Sequence, residues 1–320
     1  MLSVVVPCFN EAEVLPAFYD RLSAAAAEWD EPIELILVDD GSTDTTWLLI
    51  EQFAVHDPRV IGIRLARNFG HQAALGAGLH RARGDAVVVL DADLQDPPEL
   101  VQEMLAMWRD GYDVVYAQRT RRHGESLTKK LLGHVFYRVL DRLNRFAIPR
   151  DTGDFALMDA KVVETLREFG EHALFWRGLR CWSGFRHGAV RFERPPRAAG
   201  ETKYTMQKMV RLATDGLLSF SRAPLRFPFY AGLFLMAAVA VLSAVSTTAW
   251  LAGRAPLAPW WATAIGFIGA VQLVSVGVIG EYLARIYDEV RGRPRWIVRN
   301  VTESQPLYLQ IPPGHNRIAG

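Results

Sequence analysis

Near its C-terminus the chain carries two stretches without a charged residue, Phe227 to Leu251 and Trp260 to Gly280. A helix rises about 1.5 Å per residue, so roughly 20 apolar residues cross the ~30 Å hydrocarbon core of a bilayer, and both stretches reach that length. Gln272 is the one strongly polar side chain in the second stretch. Soluble domains seldom hold two such stretches side by side, so a pair of transmembrane helices is expected. Lys208, Arg211, Arg222 and Arg226 precede the first, Arg285, Arg291, Arg293, Arg295 and Arg299 follow the second, and Arg254 alone lies between them. By the positive-inside rule both ends face the cytoplasm, as in a multi-pass protein of the cytoplasmic (inner) membrane. Trp250, Trp260 and Trp261 fall at headgroup level on the outer side, and Ala262, Gly266 and Ala270 give a small-residue face for helix packing.

The organisation expected from these marks is a cytosolic domain over 1–202, an interfacial region over 203–226, two membrane helices over 227–286 and a cytosolic tail over 287–320. From Lys203 to Phe220, apolar Met206, Met209, Val210, Leu212, Leu217 and Leu218 alternate with Lys208, Arg211 and Asp215 at near-helical spacing. That pattern suits an amphipathic helix lying in the interface. The first apolar run, Leu2 to Val6, begins almost at once and lacks the basic flank and cleavage site of a signal peptide.

In the N-terminal part, apolar runs at Leu2–Val6, Ile33–Val38, Val60–Leu65, Ala86–Leu90 and Val114–Ala117 are separated by helical patterns such as Ala12–Glu28 and Thr43–Val55. Short β-branched runs alternating with helices predict an α/β fold, a mostly parallel sheet with helices on both faces. Ligands of such sheets bind at the carboxyl ends of the strands. There the sequence places Pro7-Cys-Phe-Asn-Glu11, then Asp39-Asp40-Gly-Ser42-Thr43-Asp44, then Arg67-Asn-Phe-Gly70-His71, then Asp91-Ala92-Asp93-Leu-Gln95-Asp96. Ser42 and Thr43 suit capping of the following helix. Capping accounts for one acid per turn and leaves Asp39, Asp40, Asp91 and Asp93 together unexplained. By itself the Asp91–Asp96 stretch admits either a solvated acidic turn or a metal-diphosphate site in which Mg²⁺ or Mn²⁺ bridges carboxylates to a substrate's phosphates.

Other chemistries find no support. A net charge of +1 argues against a nucleic-acid binder working through a broad basic surface. The two cysteines, Cys8 and Cys181, are too few for a disulfide framework. No G-x-G-x-x-G follows the first strand and no Walker lysine occurs, so Gly76 and Gly78, inside a helical pattern, read as packing glycines. The histidines lack zinc-ligand spacing.

Taken in order, Val-Val-Val-Pro-Cys-Phe-Asn-Glu11, Leu-Val-Asp-Asp-Gly-Ser-Thr-Asp44, Arg-Asn-Phe-Gly-His71, Leu-Asp-Ala-Asp-Leu-Gln-Asp-Pro-Pro98, Asp151-Thr-Gly-Asp-Phe155, Arg197-Ala-Ala-Gly-Glu-Thr-Lys-Tyr204 and Gly-Glu-Tyr-Leu-Ala-Arg-Ile-Tyr287 resemble the family 2 glycosyltransferases of GT-A fold. Within them the polyprenyl-phosphate glycosyltransferases are the most similar. The resemblance implies an inverting transfer of one sugar from a nucleotide sugar, UDP-linked by preference, to undecaprenyl phosphate or another polyprenyl phosphate at the cytoplasmic face. It implies Mg²⁺ or Mn²⁺ held by Asp93, with Asp91 beside it and Gln95 as a further ligand. Pro7, Glu11, Asp39, Asp40, Asp91 and Ala92 fall to the nucleotide sugar. Arg119, Arg121, Lys129, Lys130 and Arg197 fall to the acceptor phosphate. Asp93, Arg119, Lys203 and Asp154 are the catalytic candidates, Asp154 as a base or as an acceptor-positioning carboxylate, with Asp151 as its substitute.

The same resemblance leaves room for self-association and for flippase and downstream transferase partners in building cell-envelope glycans. A polysaccharide synthase of this fold would need more membrane helices and a Gln-x-x-Arg-Trp motif, which the chain lacks. A catalytically idle scaffold or partner subunit of the same fold is the other alternative, and the intact Asp40, Asp91, Asp93 and Asp154 speak against it. The residues from Trp176 to Trp182 read equally as acceptor side or as packing.

Overall fold

The computed structural model describes residues 1–120, 149, 152–171, 175–193, 223–253 and 260–303. Among them, β1 (Leu2–Cys8), β2 (Ile33–Asp39), β3 (Val60–Leu65), β4 (Ala86–Val89), β5 (Val114–Arg119), β6 (Thr152–Asp159), β7 (His187–Phe192) and β8 (Val298–Glu303) form one sheet in the order β7-β5-β6-β4-β1-β2-β3-β8. β1 pairs in parallel with β2 and β4, β2 with β3, and β5 with β7, while β6 runs antiparallel between β4 and β5. The predicted mostly parallel sheet is present, and β8 adds an antiparallel strand at its edge.

Period-two geometry sends alternate side chains of β1 to opposite faces. Val4, Val6 and Cys8 join one buried cluster with Phe18 of α1 (Leu15–Ala26), Ile50 of α2 (Thr46–His56) and Met104 of α4 (Val101–Arg109). Val5 faces the other way, onto α3 (His71–Arg81), where a Cβ added at Gly78 would overlap its Cγ1. Arg167 of α5 (Ala160–Glu168) donates to the carbonyls of Leu79 and Ala82, satisfying the last turn of α3. Helices therefore cover both faces, and continuous apolar strands such as Ala86–Val89 are buried on both sides as their composition requires. Cys8 is a buried free thiol.

Gly76 and Gly78 are packing glycines, as expected. A Cβ at Gly76 would lie 2.8 Å from Trp176 and 2.9 Å from Trp296. Alanine normally gains about 0.5–1 kcal/mol over glycine inside a helix. At Gly78 the overlap with a strand that cannot recede costs about 1–3 kcal/mol and reverses the sign. Gly78→Ala is expected to lower the thermal unfolding midpoint by several degrees, read by circular dichroism.

A second unit contains α7 (Ala223–Leu251) and α8 (Trp260–Arg291). The windows Tyr230–Ala249 and Phe267–Arg291 have mean hydropathies of 1.9 and 1.6, and each is long and apolar enough to cross a membrane. Phe234 and Leu273 are 73% and 76% exposed, an arrangement water disfavours and lipid tolerates. α8 extends beyond the uncharged stretch through Glu281, Arg285, Asp288 and Glu289, with an Arg285–Glu281 ion pair one turn apart at 3.4 Å. The proposed amphipathic segment Lys203–Phe220 lies outside the described residues.

Candidate active site

Parallel strands β1 to β4 end at Cys8, Asp39, Leu65 and Val89, so the loops that follow gather at one edge of the sheet. Pro7 lies beyond the last β1–β4 pair, Val5–Val89, where a ring without an N–H leaves that ladder intact. Asn10 takes a left-handed φ of 53°, which asparagine tolerates. Its N–H donates to Ser42 Oγ and its Oδ1 accepts from Thr43 N–H, both at 2.9 Å. Glu11 N–H donates to Thr46 Oγ1 at 2.9 Å, and Ala12 N–H to Asp44 Oδ2 at 3.2 Å. Ser42 and Thr43 therefore do not cap α2, which begins only at Thr46 with no side-chain cap; they stitch the first loop to the second.

Asp39 is fully buried at the end of β2. Its Oδ1 accepts from Ser42 N–H at 2.9 Å, and its Oδ2 lies 3.3 Å from Arg64 Nε, whose guanidinium sits 5.7 Å over the Trp47 ring. Asp40 receives the N–H groups of Phe69 and Gly70 at 2.7 and 2.9 Å. Burial pushes its carboxyl above the usual range although these amides oppose the shift. Gly41, at φ 67°, lets the third loop close in: a Cβ there would stand 2.5 Å from the Arg67 carbonyl carbon. Asp40 thus holds the turn from which α3 starts at His71.

Beyond β4, Asp93 Oδ1 accepts from Gln95 N–H at 3.1 Å, and Asp91 N–H donates to Asp96 Oδ2 at 3.4 Å. Leu94 is forced to a φ of 59°, a conformation that costs a bulky residue about 1–3 kcal/mol and persists where surrounding contacts fix the loop. Gln95 and Asp96 are buried, while Asp91 and Asp93 are half-buried at the mouth.

The antiparallel β6 brings the remaining carboxylate. Val89 pairs with Ala156, so the same register carried two residues further sets Asp91 opposite Asp154. His71 lies between them, its Nε2 3.7 Å from Asp91 Oδ1 and 3.4 Å from Asp154 Oδ2. Gln72 Nε2 donates to Asp154 Oδ2 at 2.9 Å, and the indole N–H of Trp176, first residue of α6 (Trp176–Trp182), donates to the Gln72 carbonyl at 2.7 Å. Arg177 Nη2 stands 3.7 Å from Asp154 Oδ1. Burial alone would raise the Asp154 carboxyl, but His71, Arg177 and Arg180 outweigh it and hold it well below the usual range. Burial disfavours the His71 imidazolium, and Asp154, Asp91 and Asp40 overcome that, raising it to about 9. Asp154 is therefore a poor proton acceptor and a good fixed charge.

Residues 3–167 of this chain match the family described as glycosyl transferase family 2. Over 314 residues the chain is 44% identical to the uncharacterized glycosyltransferase YkcC of Bacillus subtilis, covering 96% of both. It is 37% identical over 307 residues to the SfII prophage-derived bactoprenol glucosyl transferase of Shigella flexneri, covering 95% of this chain and 99% of that one. The chain belongs to glycosyl transferase family 2. It is a glycosyltransferase, and its sheet with flanking helices is the GT-A fold. A looser likeness is to glucosyl-3-phosphoglycerate synthase from Mycobacterium tuberculosis in complex with Mn²⁺, UDP and glucosyl-3-phosphoglycerate, with TM-score 0.48, 19% identity, and coverage of 69% of this chain and 80% of that one. A likeness that loose decides nothing about this chain.

In this glycosyltransferase, Pro7, Glu11, Asp39, Asp40, Asp91, Ala92, Asp93, Gln95 and Asp154 all fall on the one sheet edge or the loops leaving it. Arg119 ends β5, and its Nη2 lies 3.2 Å from the position of a Cβ on Gly153, next to Asp154. Arg121, Lys129, Lys130, Asp151, Arg197 and Lys203 lie outside the described residues. The sequence gives no sign of a role for His71 or Gln72, and for the Trp176–Trp182 segment that holds Arg177 and Arg180 it leaves acceptor side and packing equally open. His71 was visible as the residue closing the third strand-end loop. The arginines carry no spacing signal, because α6 meets the site through β6 and α3, elements distant in sequence. Among the described residues no three His, Cys, Asp or Glu side chains converge on one metal position.

Proposed function

We propose that this glycosyltransferase is an inverting, metal-dependent enzyme that moves a sugar from a nucleotide sugar, UDP-linked by preference, to a polyprenyl phosphate at the cytoplasmic membrane face. The observation that carries the reading is the near-full-length match to relatives named bactoprenol glucosyl transferase, 37% identical with 99% of the relative covered. Two further features support it. α7 and α8 are suited to crossing a bilayer as a hairpin, which would keep residues 1–202 as a catalytic domain beside the acceptor's headgroup. The acidic loop after β4 offers two half-buried carboxylates and, among the described residues, no complete protein cage, the donor set that suits Mg²⁺ or Mn²⁺ completed by substrate phosphates and water.

Asp93 and Asp91 would hold the ion, with Gln95 as a further ligand. Its chemistry is neutralisation of charge on the departing nucleoside diphosphate. Asp39, Asp40 and Glu11 shape the nucleotide end of the cleft, with Pro7 and Ala92 as its walls. A phosphate's second pKa is ~6, so the acceptor oxygen is already largely ionised at neutral pH. No strong base is needed, and the low carboxyl of Asp154 fits a positioning role. Arg119 offers a guanidinium to the phosphate as it approaches.

Detergent-solubilised protein given UDP-[¹⁴C]glucose, polyprenyl phosphate and Mn²⁺ is expected to yield a labelled lipid. A chelator should abolish the product, and added Mg²⁺ or Mn²⁺ should restore it. If a panel of nucleotide sugars gives no labelled lipid, the reading is wrong.

A further inference from the structure

Around Gly153 and Asp154 the positive charge exceeds what one carboxylate neutralises. Arg177 Nη2 lies 3.7 Å from Asp154 Oδ1. Arg180 reaches only backbone there, Nη1 at 3.4 Å from the Asp154 carbonyl oxygen and Nη2 at 3.3 Å from that of Gly153. Guanidinium groups do not lose their charge in proteins. Among the described residues, Asp154 is the one carboxylate within 4 Å of Arg177, and Arg180 has none. Arg180 is only 3% exposed, and a cation buried on two long carbonyl bonds is expensive. The Nε atoms of Arg177 and Arg180 are buried and, among the described residues, have no hydrogen-bond partner. Such surplus charge and unused donors suit an anion with several acceptor oxygens.

We propose that Arg177, backed by Arg180, forms an anion seat for the acceptor's phosphate, with Asp154 as the counter-charge that directs Arg177. This rests on the polyprenyl-phosphate reading above and gives that site residues it lacked. The direction follows from the two oxygens of Asp154. Oδ2 turns to His71 and through it to Asp91, the donor end of the cleft, while Oδ1 turns to Arg177. Arg119 reaches the same Gly153–Asp154 segment from β5. A phosphate monoester held by these guanidiniums would be screened from the donor's diphosphate by side chains already in place, and planar forks bind such oxygens in pairs. The side chain of Arg177 is 22% exposed, so part of it meets solvent although its Nε is buried.

The test uses the full chain in detergent and two calorimetric titrations, one with farnesyl phosphate and one with UDP plus Mn²⁺. In Arg177→Gln, farnesyl phosphate binding is expected to weaken at least tenfold while UDP binding stays within twofold. Arg177→Lys, which keeps the charge and loses the fork, should fall between. An unchanged melting midpoint separates this from misfolding, and Arg180→Lys, keeping the buried charge, should weaken the same ligand if Arg177→Gln fails to fold. The proposal is overturned if UDP binding is what weakens, if neither ligand responds, or if the unaltered chain does not bind farnesyl phosphate. A chain that binds farnesyl phosphate through Arg177 yet transfers no sugar keeps the seat and loses the functional reading.

Discussion

Asp93→Asn is expected to lower sugar transfer by about 10³-fold while leaving the fold intact. The amide is isosteric and keeps an oxygen to accept the Gln95 N–H now bonded to Asp93 Oδ1 at 3.1 Å, so the loop with its strained Leu94 has no reason to open. On the proposed reading, what disappears is one of two hard anionic ligands, and with it the cation that would offset charge on the leaving diphosphate; a preorganised electrostatic contact of this kind is worth 10²–10³ in rate or more. The melting midpoint should match the unaltered protein within a degree or two. UDP affinity should drop in Mn²⁺ and stay the same in chelator. Full activity in Asp93→Asn would remove the ion from this loop.

Asp154→Asn is expected to damage both activity and stability. The side chain is 15% exposed and accepts from Gln72 while facing His71 and Arg177. An amide turns donors toward donors and leaves Arg177 and the buried Arg180 without their counter-charge. Breaking a buried charge cluster from one side costs about 3–5 kcal/mol; with His71 44% exposed and screened, about 2–3 kcal/mol is the better figure. That corresponds to roughly 5–10 °C in midpoint for a domain of this size. Transfer should fall by about 10²-fold, chiefly as a raised KM for the lipid acceptor, because a misdirected Arg177 affects binding before chemistry. A pure loss of kcat with unchanged KM and midpoint would instead identify Asp154 as a proton acceptor.

The sheet was legible in the chain because its strands are buried on both faces, and Ala86–Val89 or Leu2–Val6 have no other plausible place. Gly76 and Gly78 were legible for a similar reason, since a helix pressed against a sheet and two indoles has no room for side chains. Capping by Ser42 and Thr43 was not: local propensity cannot know that Asn10, a neighbour only through sheet pairing, claims both residues. His71 escaped on the same ground, and the segment carrying the α6 arginines stayed open between acceptor side and packing. Their partner is Asp154, and nothing local announces that an antiparallel strand will slide it opposite Asp91. β8 was unforeseen too, because Val298–Glu303 is short, polar and exposed, and it pairs only because β3 offers an edge.

That last strand has a consequence for biosynthesis. β3 is complete by Leu65, yet among the described residues its outer edge pairs with Val298–Glu303 alone, and α7 and α8 are made in between. While the ribosome works through those residues, the nascent sheet carries an uncovered rim of amide and carbonyl groups of the sort that invites aggregation. Ala66 N–H to the Ile297 carbonyl and Arg81 to Glu303 close the seam only at the end. A stop codon a few residues before Val298 would therefore release a chain with strands β1 to β7 and a raw border.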